Sequence, residues 1–225
     1  MNTSIILFII IIISLALICF IVGLLVGLAI NIYHQYRVRV SQNQGEALLR
    51  RHIISSLTSQ NYYLMNNITL PINDGTTQID HILVSTKGIF VIETKNYSGW
   101  IFGDEHTRQW SQVLYKIKNK FQNPIHQNYL HIQVVRQLLE YIPKEQIHSI
   151  VVFVGNGIFK TTVPKGVVYL NKFLEYLNNF QVDAISIDHV ESCVGRLECK
   201  RFNVTRKTDL QHIAYLADKF GETNE

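Results

Sequence analysis

The sequence predicts an α/β domain, a mixed sheet core flanked by helices, preceded by one N-terminal transmembrane helix. Three observations carry that expectation. Residues 1–36 contain no Asp, Glu, Lys or Arg, so all 21 basic and 17 acidic residues lie beyond them. Two later stretches, Ile89–Ile92 and Ile147–Val154, are apolar runs of strand length, as in strands buried on both faces. Around them, apolar residues recur at helical spacing. Composition excludes other classes. A chain with 47% hydrophobic residues is not intrinsically disordered, and 3 Cys do not make a disulfide scaffold.

The first element is the anchor. Ile5–Ile30 carries no charge, and its length exceeds the roughly 20 residues a bilayer core requires. A second such window is absent, which excludes a multi-span protein. A cleaved signal peptide fits poorly, because the segment lacks a basic n-region and an Ala-x-Ala site and is too long. Arg37, Arg39, Arg50 and Arg51 follow the span and none precedes it. The positive-inside rule then puts the N-terminus outside and the C-terminal domain in the cytoplasm. Tyr33 and Tyr36 fall where an interfacial aromatic belt belongs. The expected organisation is an anchor over 1–36, a core domain over 41–155 and an α/β extension over 156–225 packing on that core.

The soluble part reads as follows. Ser41 and Gln44 fit a capping box, opening a helix to about Gln60 with the stripe Leu49, Ile53, Leu57. Stepping that stripe back by three reaches Glu46, an unexpected carboxylate on a buried face. The positive end of a helix would also favour an acid there. Tyr62–Leu70 is a strand closed by Pro71 and an Asn73-Asp74-Gly75 turn. Gln78–Ser85 and Gly88–Lys95 are two more, joined by a tight turn. The segment with Gly99-Trp100, Gly103 and Trp110 reads as a strand or loop returning over the sheet. Asn123-Pro124 opens a helix with the stripe Ile125, Ile132, Val135, Leu139, Ile142, ended by Pro143. A strand at Ile147–Val154 follows, then a short one at Val167–Leu170. Helices are expected at Lys172–Asn179, Asp188–Gly195 and Thr208–Phe220.

Chemistry concentrates in one hairpin. With Thr86 and Lys87 as turn residues, Asp80 faces Glu93 and Gln78 faces Lys95, all on one sheet face; a turn slipped by two pairs Asp80 with Lys95 instead, and either register clusters the three charges at one sheet end. Opposed Cβ atoms stand about 5 Å apart, so the two carboxylates repel. A divalent cation would offset this, and Mg²⁺ takes hard oxygen ligands from one or two carboxylates plus waters. The Thr94 carbonyl is a natural further ligand. Lys95 could steady a developing oxyanion or a nucleophilic water. Cation-assisted attack of water on a phosphodiester suits this layout. A structural ion pair, in which Lys95 neutralises Glu93 and Asp80, satisfies the same spacing. His81 and His126 fall nearby and read as packed or solvated histidines. Two basic clusters, Lys116-Lys118-Lys120 and Arg196, Lys200, Arg201, Arg206, Lys207, fit nucleic-acid phosphate, anionic lipid or an ordinary solvated face.

A wider pattern narrows the choice. Gly45-Glu46, Gln78–Ser85, Lys87–Gly99 and Gln122-Asn123-Pro124-Ile125 with Gln127 together resemble the NERD (nuclease-related) domain, which is similar to the PD-(D/E)xK nuclease superfamily. The likeness covers about Gln44–Val154. It implies a restriction-endonuclease-like fold and a membrane-anchored, metal-dependent nuclease using Mg²⁺ or Mn²⁺ on nucleic acid, DNA favoured over RNA. Asp80 and Glu93 would be ligands, with Thr94 beside them, and Lys95 the catalytic lysine. Glu46 would join them from the first helix, which would account for its buried position. Gln122 and Gln127 would contact phosphate or position water. Ile79 stands where the superfamily has proline, a position that is not a ligand. The alternative function is a non-catalytic module of the same fold that binds nucleic acid or protein at the membrane.

Overall fold

The computed structural model describes residues 3–57, 62–73, 75–180, 183–203, 205, 208, 211, 212, 214 and 215. A single helix, α1, runs Thr3–Ser56. Nothing breaks it at Ser41, where a helix start was expected, because no Gly or Pro falls between Gly27 and Gly45. Within it, Ile12–Tyr33 is long and apolar enough to cross a bilayer, with a mean hydropathy of 2.9. The chain divides into two units, Met1–Asn43 and Gln44–Glu225.

The second unit is built on a five-stranded mixed sheet ordered β1-β2-β3-β7-β9. Its strands are β1 (Tyr62–Ile72), β2 (Gly75–Ser85), β3 (Gly88–Lys95), β7 (Ile147–Phe153) and β9 (Val167–Tyr169). Pro71 does not end β1 but pairs with Thr76 inside it. An edge strand tolerates a residue without an N–H. The β2–β3 ladder has the expected register where it forms, with Ser85 opposite Gly88 and Ile82 opposite Val91, but it ends at His81–Ile92, so the expected pairs Asp80–Glu93 and Gln78–Lys95 are not made. β3 is apolar on both faces because both are covered. Ile89 and Val91 join Ile79 and Ile82 against α2 (Pro124–Leu138) and α4 (Ile187–Lys200). Phe90 and Ile92 pack with Leu49 and Ile53 of α1 and with Phe173 and Leu177 of α3 (Phe173–Leu177) on the other side.

A second sheet, ordered β6-β5-β4-β8, replaces the expected single strand or loop after Lys95. It comprises β4 (Gly99–Phe102), β5 (Gln109–Leu114), β6 (Ile117–Gln122) and β8 (Gly157–Phe159). Ile101 and Trp110 on its inner face pack against Val151, Phe153 and Val167 of the first sheet. Asn123 caps α2 as expected, its Oδ1 accepting from Ile125 N at 2.9 Å. α4 continues past Gly195, its expected end, because Val190, Cys193 and Leu197 form a continuous buried stripe. The helix expected over Thr208–Phe220 lies largely outside the described residues.

Candidate active site

The ladder between β2 and β3 stops at the pair His81–Ile92. One step further the Asp80 carboxylate takes the place of a strand partner. Its Oδ2 accepts a 2.7 Å hydrogen bond from the Thr94 backbone N–H. β3 meanwhile stays paired to β7 up to Lys95–Phe153. The hairpin therefore opens at the end where Asp80, Glu93 and Lys95 share a face, and the opening is lined with charge.

Glu93 is 2% exposed. Its Oε1 lies 2.6 Å from Lys95 Nζ. Its Oε2 has no hydrogen-bond partner, although His131 Nε2 stands 3.4 Å away. Lys95 Nζ also donates to Gln127 Oε1 at 3.0 Å. Gln127 and His131 sit one turn apart on α2, which projects both toward β3. The far ring nitrogen of His131, Nδ1, bonds to Thr77 Oγ1 at 2.8 Å. α2 itself is fastened by buried Asn128, whose Nδ2 donates to Val91 O at 2.9 Å and Ser149 Oγ at 2.8 Å.

Glu46 reaches the cluster from α1. Its neighbour Gly45 makes this possible. A Cβ at Gly45 would fall 2.7 Å from Asn96 Cβ and 2.9 Å from Val154 Cγ2, so only glycine lets the helix approach so closely. Leu49 and Ile53 are buried one and two turns on, as the stripe predicted.

The electrostatics follow from three carboxylates sharing one lysine. Burial pushes the Glu46 carboxyl up to about 7, the Glu93 charge adds to this and Lys95 opposes it. Burial, then Glu93 and Glu46, hold Asp80 well above the usual carboxylate range, against Lys95 and the Thr94 amide. For Glu93 burial works the same way, but Lys95 and His131 outweigh it and its carboxyl falls below the ordinary value. Lys95 is held above the ordinary lysine value because the charges of Glu93 and Asp80 outweigh its burial. Lys95 and His131 thus favour the charged form of Glu93, while burial and mutual repulsion disfavour it for Asp80 and Glu46.

The donor set bears on which cation would fit. Among the described residues no three His, Cys, Asp or Glu side chains form a ready cage for a metal. Asp80 and Glu93 with a backbone oxygen fit the Mg²⁺ pattern, in which one or two carboxylates share the ion with waters and substrate oxygens. The orphaned Glu93 Oε2 is the buried acceptor such an ion would satisfy.

Of the residues singled out from sequence, Glu46, Asp80, Glu93, Lys95 and Gln127 converge, with Thr94 present through its amide. Gln122 has no such contact among the described residues; it is exposed at the end of β6, opposite Gln109. His81 is a packed histidine, as expected, its Nδ1 bonded to Asn66 Oδ1 at 2.7 Å and burial lowering its pKa to about 4. His126 bonds to Glu105 O at 2.9 Å. His131 was missed. The signal for it lay in helical spacing, four residues after Gln127 and next to the apolar Ile132.

Comparison with known proteins places the chain in a family. No solved structure matches the chain. The chain is 33% identical over 192 residues to an uncharacterized protein of Bacillus anthracis, an alignment covering 79% of this chain and 84% of that one. The NERD family pattern, described as a nuclease-related domain, matches residues 41–154, the stretch that holds the whole convergent cluster. The protein therefore belongs to the NERD, or nuclease-related domain, family.

Proposed function

We propose that this protein is a membrane-anchored nuclease that hydrolyses phosphodiester bonds of nucleic acid with Mg²⁺ or Mn²⁺, its catalytic domain on the cytoplasmic side. The carrying observation is Glu93: buried, one oxygen on Lys95 and the other without a hydrogen-bond partner. Asp80 and Glu93 would hold the cation, with the Thr94 carbonyl completing the protein's share. When bound, the cation supplies Lewis-acid stabilisation of the phosphate and lowers the pKa of water. The chain's own residues do the rest. Lys95 orients the attacking water and offsets charge building on the phosphate. Gln127 fixes the ammonium in place. Glu46, poised near neutrality, accepts a proton. His131 holds Glu93 from behind. DNA is favoured over RNA as substrate.

The test uses the full chain in detergent with labelled DNA and RNA. Cleavage should need Mg²⁺ or Mn²⁺, stop in EDTA, and vanish in Glu93→Ala at unchanged fold. Cleavage that persists in EDTA, or in that variant, sinks the proposal. The 2.6 Å Lys95–Glu93 contact also suits a non-catalytic module. Salt-dependent binding without turnover in any metal would favour that second reading.

A further inference from the structure

The second sheet has an outer face that the catalytic cluster does not use. Side chains alternate along β4: Ile101 is fully buried, while Trp100 is 50% and Phe102 37% exposed. The ladder pairs extend these two aromatics into rows. Trp100 lies opposite Val113, which lies opposite Lys118; Phe102 lies opposite Ser111, which lies opposite Lys120. Lys160, just past β8, places its Nζ 4.8 Å from the centre of the Trp100 ring. Strands β4, β5, β6 and β8 contain no Asp or Glu. Exposed aromatic rings flanked by three lysines, on strands that carry no carboxylate, complement a ligand that is both polyanionic and rich in π-faces.

We propose that the outer face of this sheet is a single-stranded nucleic-acid platform, with bases stacked on Trp100 and Phe102 and phosphates paired by Lys118, Lys120 and Lys160. This rests on the nuclease reading and names the form of its substrate. Two observations favour a single strand. Residues two apart on a strand are separated by about 7 Å, about twice the spacing of stacked bases, so both rings are used only by a splayed, extended chain. A duplex offers no free base face and would meet the lysines alone. The platform is also near the chemistry. Trp100 follows Lys95 by five residues, which limits their Cα separation to about 17 Å, a few nucleotides of extended strand.

The protein carries its own reporter, because it has 2 Trp and the other, Trp110, is fully buried. Full-length protein in phosphatidylcholine nanodiscs with EDTA would be titrated with a 15-mer oligothymidylate while tryptophan emission is read. Stacking should quench the emission saturably, and Trp100→Phe should abolish the quench. Trp100→Ala with Phe102→Ala should weaken binding at least tenfold. Replacing the three lysines by alanine should lower the slope of log affinity against log salt by about 2. A duplex of equal length should bind at least tenfold more weakly, without quenching. Equal melting midpoints separate lost binding from lost fold, since all five side chains are on the surface. No quench, or unchanged affinity in the double aromatic variant, overturns the proposal. So does an emission shift produced by phosphatidylglycerol in the disc rather than by the oligonucleotide, which would make the face a lipid contact. A shift that follows protein concentration alone would make it a seat for a second copy and overturn it too. An oligonucleotide that quenches and binds but is never cut with Mg²⁺ sinks the nuclease reading alone; cleavage without a quench sinks this one alone.

Discussion

Glu46 and Glu93 illustrate how neighbours, more than residue type, set what a carboxylate does. Both are glutamates drawn out of water, yet only Glu93 has a lysine ammonium at 2.6 Å. Glu46 is left as the carboxyl that stays protonated up to about 7. A carboxyl raised in the folded state binds more protons folded than unfolded, so stability falls as pH rises. In metal-free protein this loss should run between about pH 4.5 and 7. Glu46→Gln should flatten it, measured as melting midpoint against pH in EDTA, while reducing cleavage. His131 faces Glu93, its Nε2 3.4 Å from the Oε2 that Lys95 does not hold. His131→Asn should cost about 10–100-fold in activity or metal affinity, the usual scale for a group that orients a ligand. Steady-state kinetics across a Mg²⁺ series measures it. Glu93 and Lys95 were legible in sequence because period-two alternation puts them on one face of β3; Asp80 was legible as their neighbour, but its bond to the Thr94 amide was not, because the ladder that fixes register ends one residue before it. His131 was not, because its role depends on how α2 crosses β3, which no local pattern encodes.

At the scale of elements, α2 does the most to define the site. Asn128 bridges it to β3 and β7 through Val91 O and Ile150 O. Asn128→Ala should therefore destabilise the protein by about 2 kcal/mol, through carbonyls and a helix face left without their donor. Chemical denaturation of the full chain in detergent would read this. Activity should fall further than stability does, because Gln127 and His131 ride on the same helix. The first sheet was readable because its strands are apolar on both faces or alternate cleanly. The second was not. Its strands are short, β6 reads Ile-Lys-Asn-Lys-Phe-Gln with little apolar alternation, and β4 is completed by β8 from beyond α2. A strand specified by a distant partner leaves only a faint local signature. The helix α1 failed in the opposite sense: two expected helices proved to be one, since nothing between them favours a break.

For the whole molecule, the proposed cation and the proposed anchor call for separate tests. A cation that binds only the folded domain should raise its stability by about 2.7 kcal/mol at a hundredfold excess over its Kd. The rise should vanish in Asp80→Asn, a variant that keeps an acceptor for the Thr94 amide but removes a charge that metal-free protein holds at a cost. Differential scanning fluorimetry with and without Mg²⁺ checks both outcomes. The uneven distribution of charge, with every ionisable acid and Lys or Arg beyond residue 36, leads to an orientation test. In sealed inverted vesicles, added protease should degrade the C-terminal unit; protection there would reverse the topology.

One feature of the fold bears on how the protein comes into being. Strands β3 and β7 are adjacent in space, yet residues 96–146 lie between them in sequence. That intervening stretch makes most of a second sheet and all of α2. Closing so long a loop is entropically slow compared with zipping the β1–β2–β3 meander. Pulse-labelled hydrogen exchange during refolding should show β2 amides protected before those of β7. During synthesis the acidic residues and the lysine leave the ribosome well ahead of the strand that supports them. The nascent chain thus carries the charged residues of the cluster without the scaffold that aligns them, and the assembled site arrives as a late event in its biogenesis.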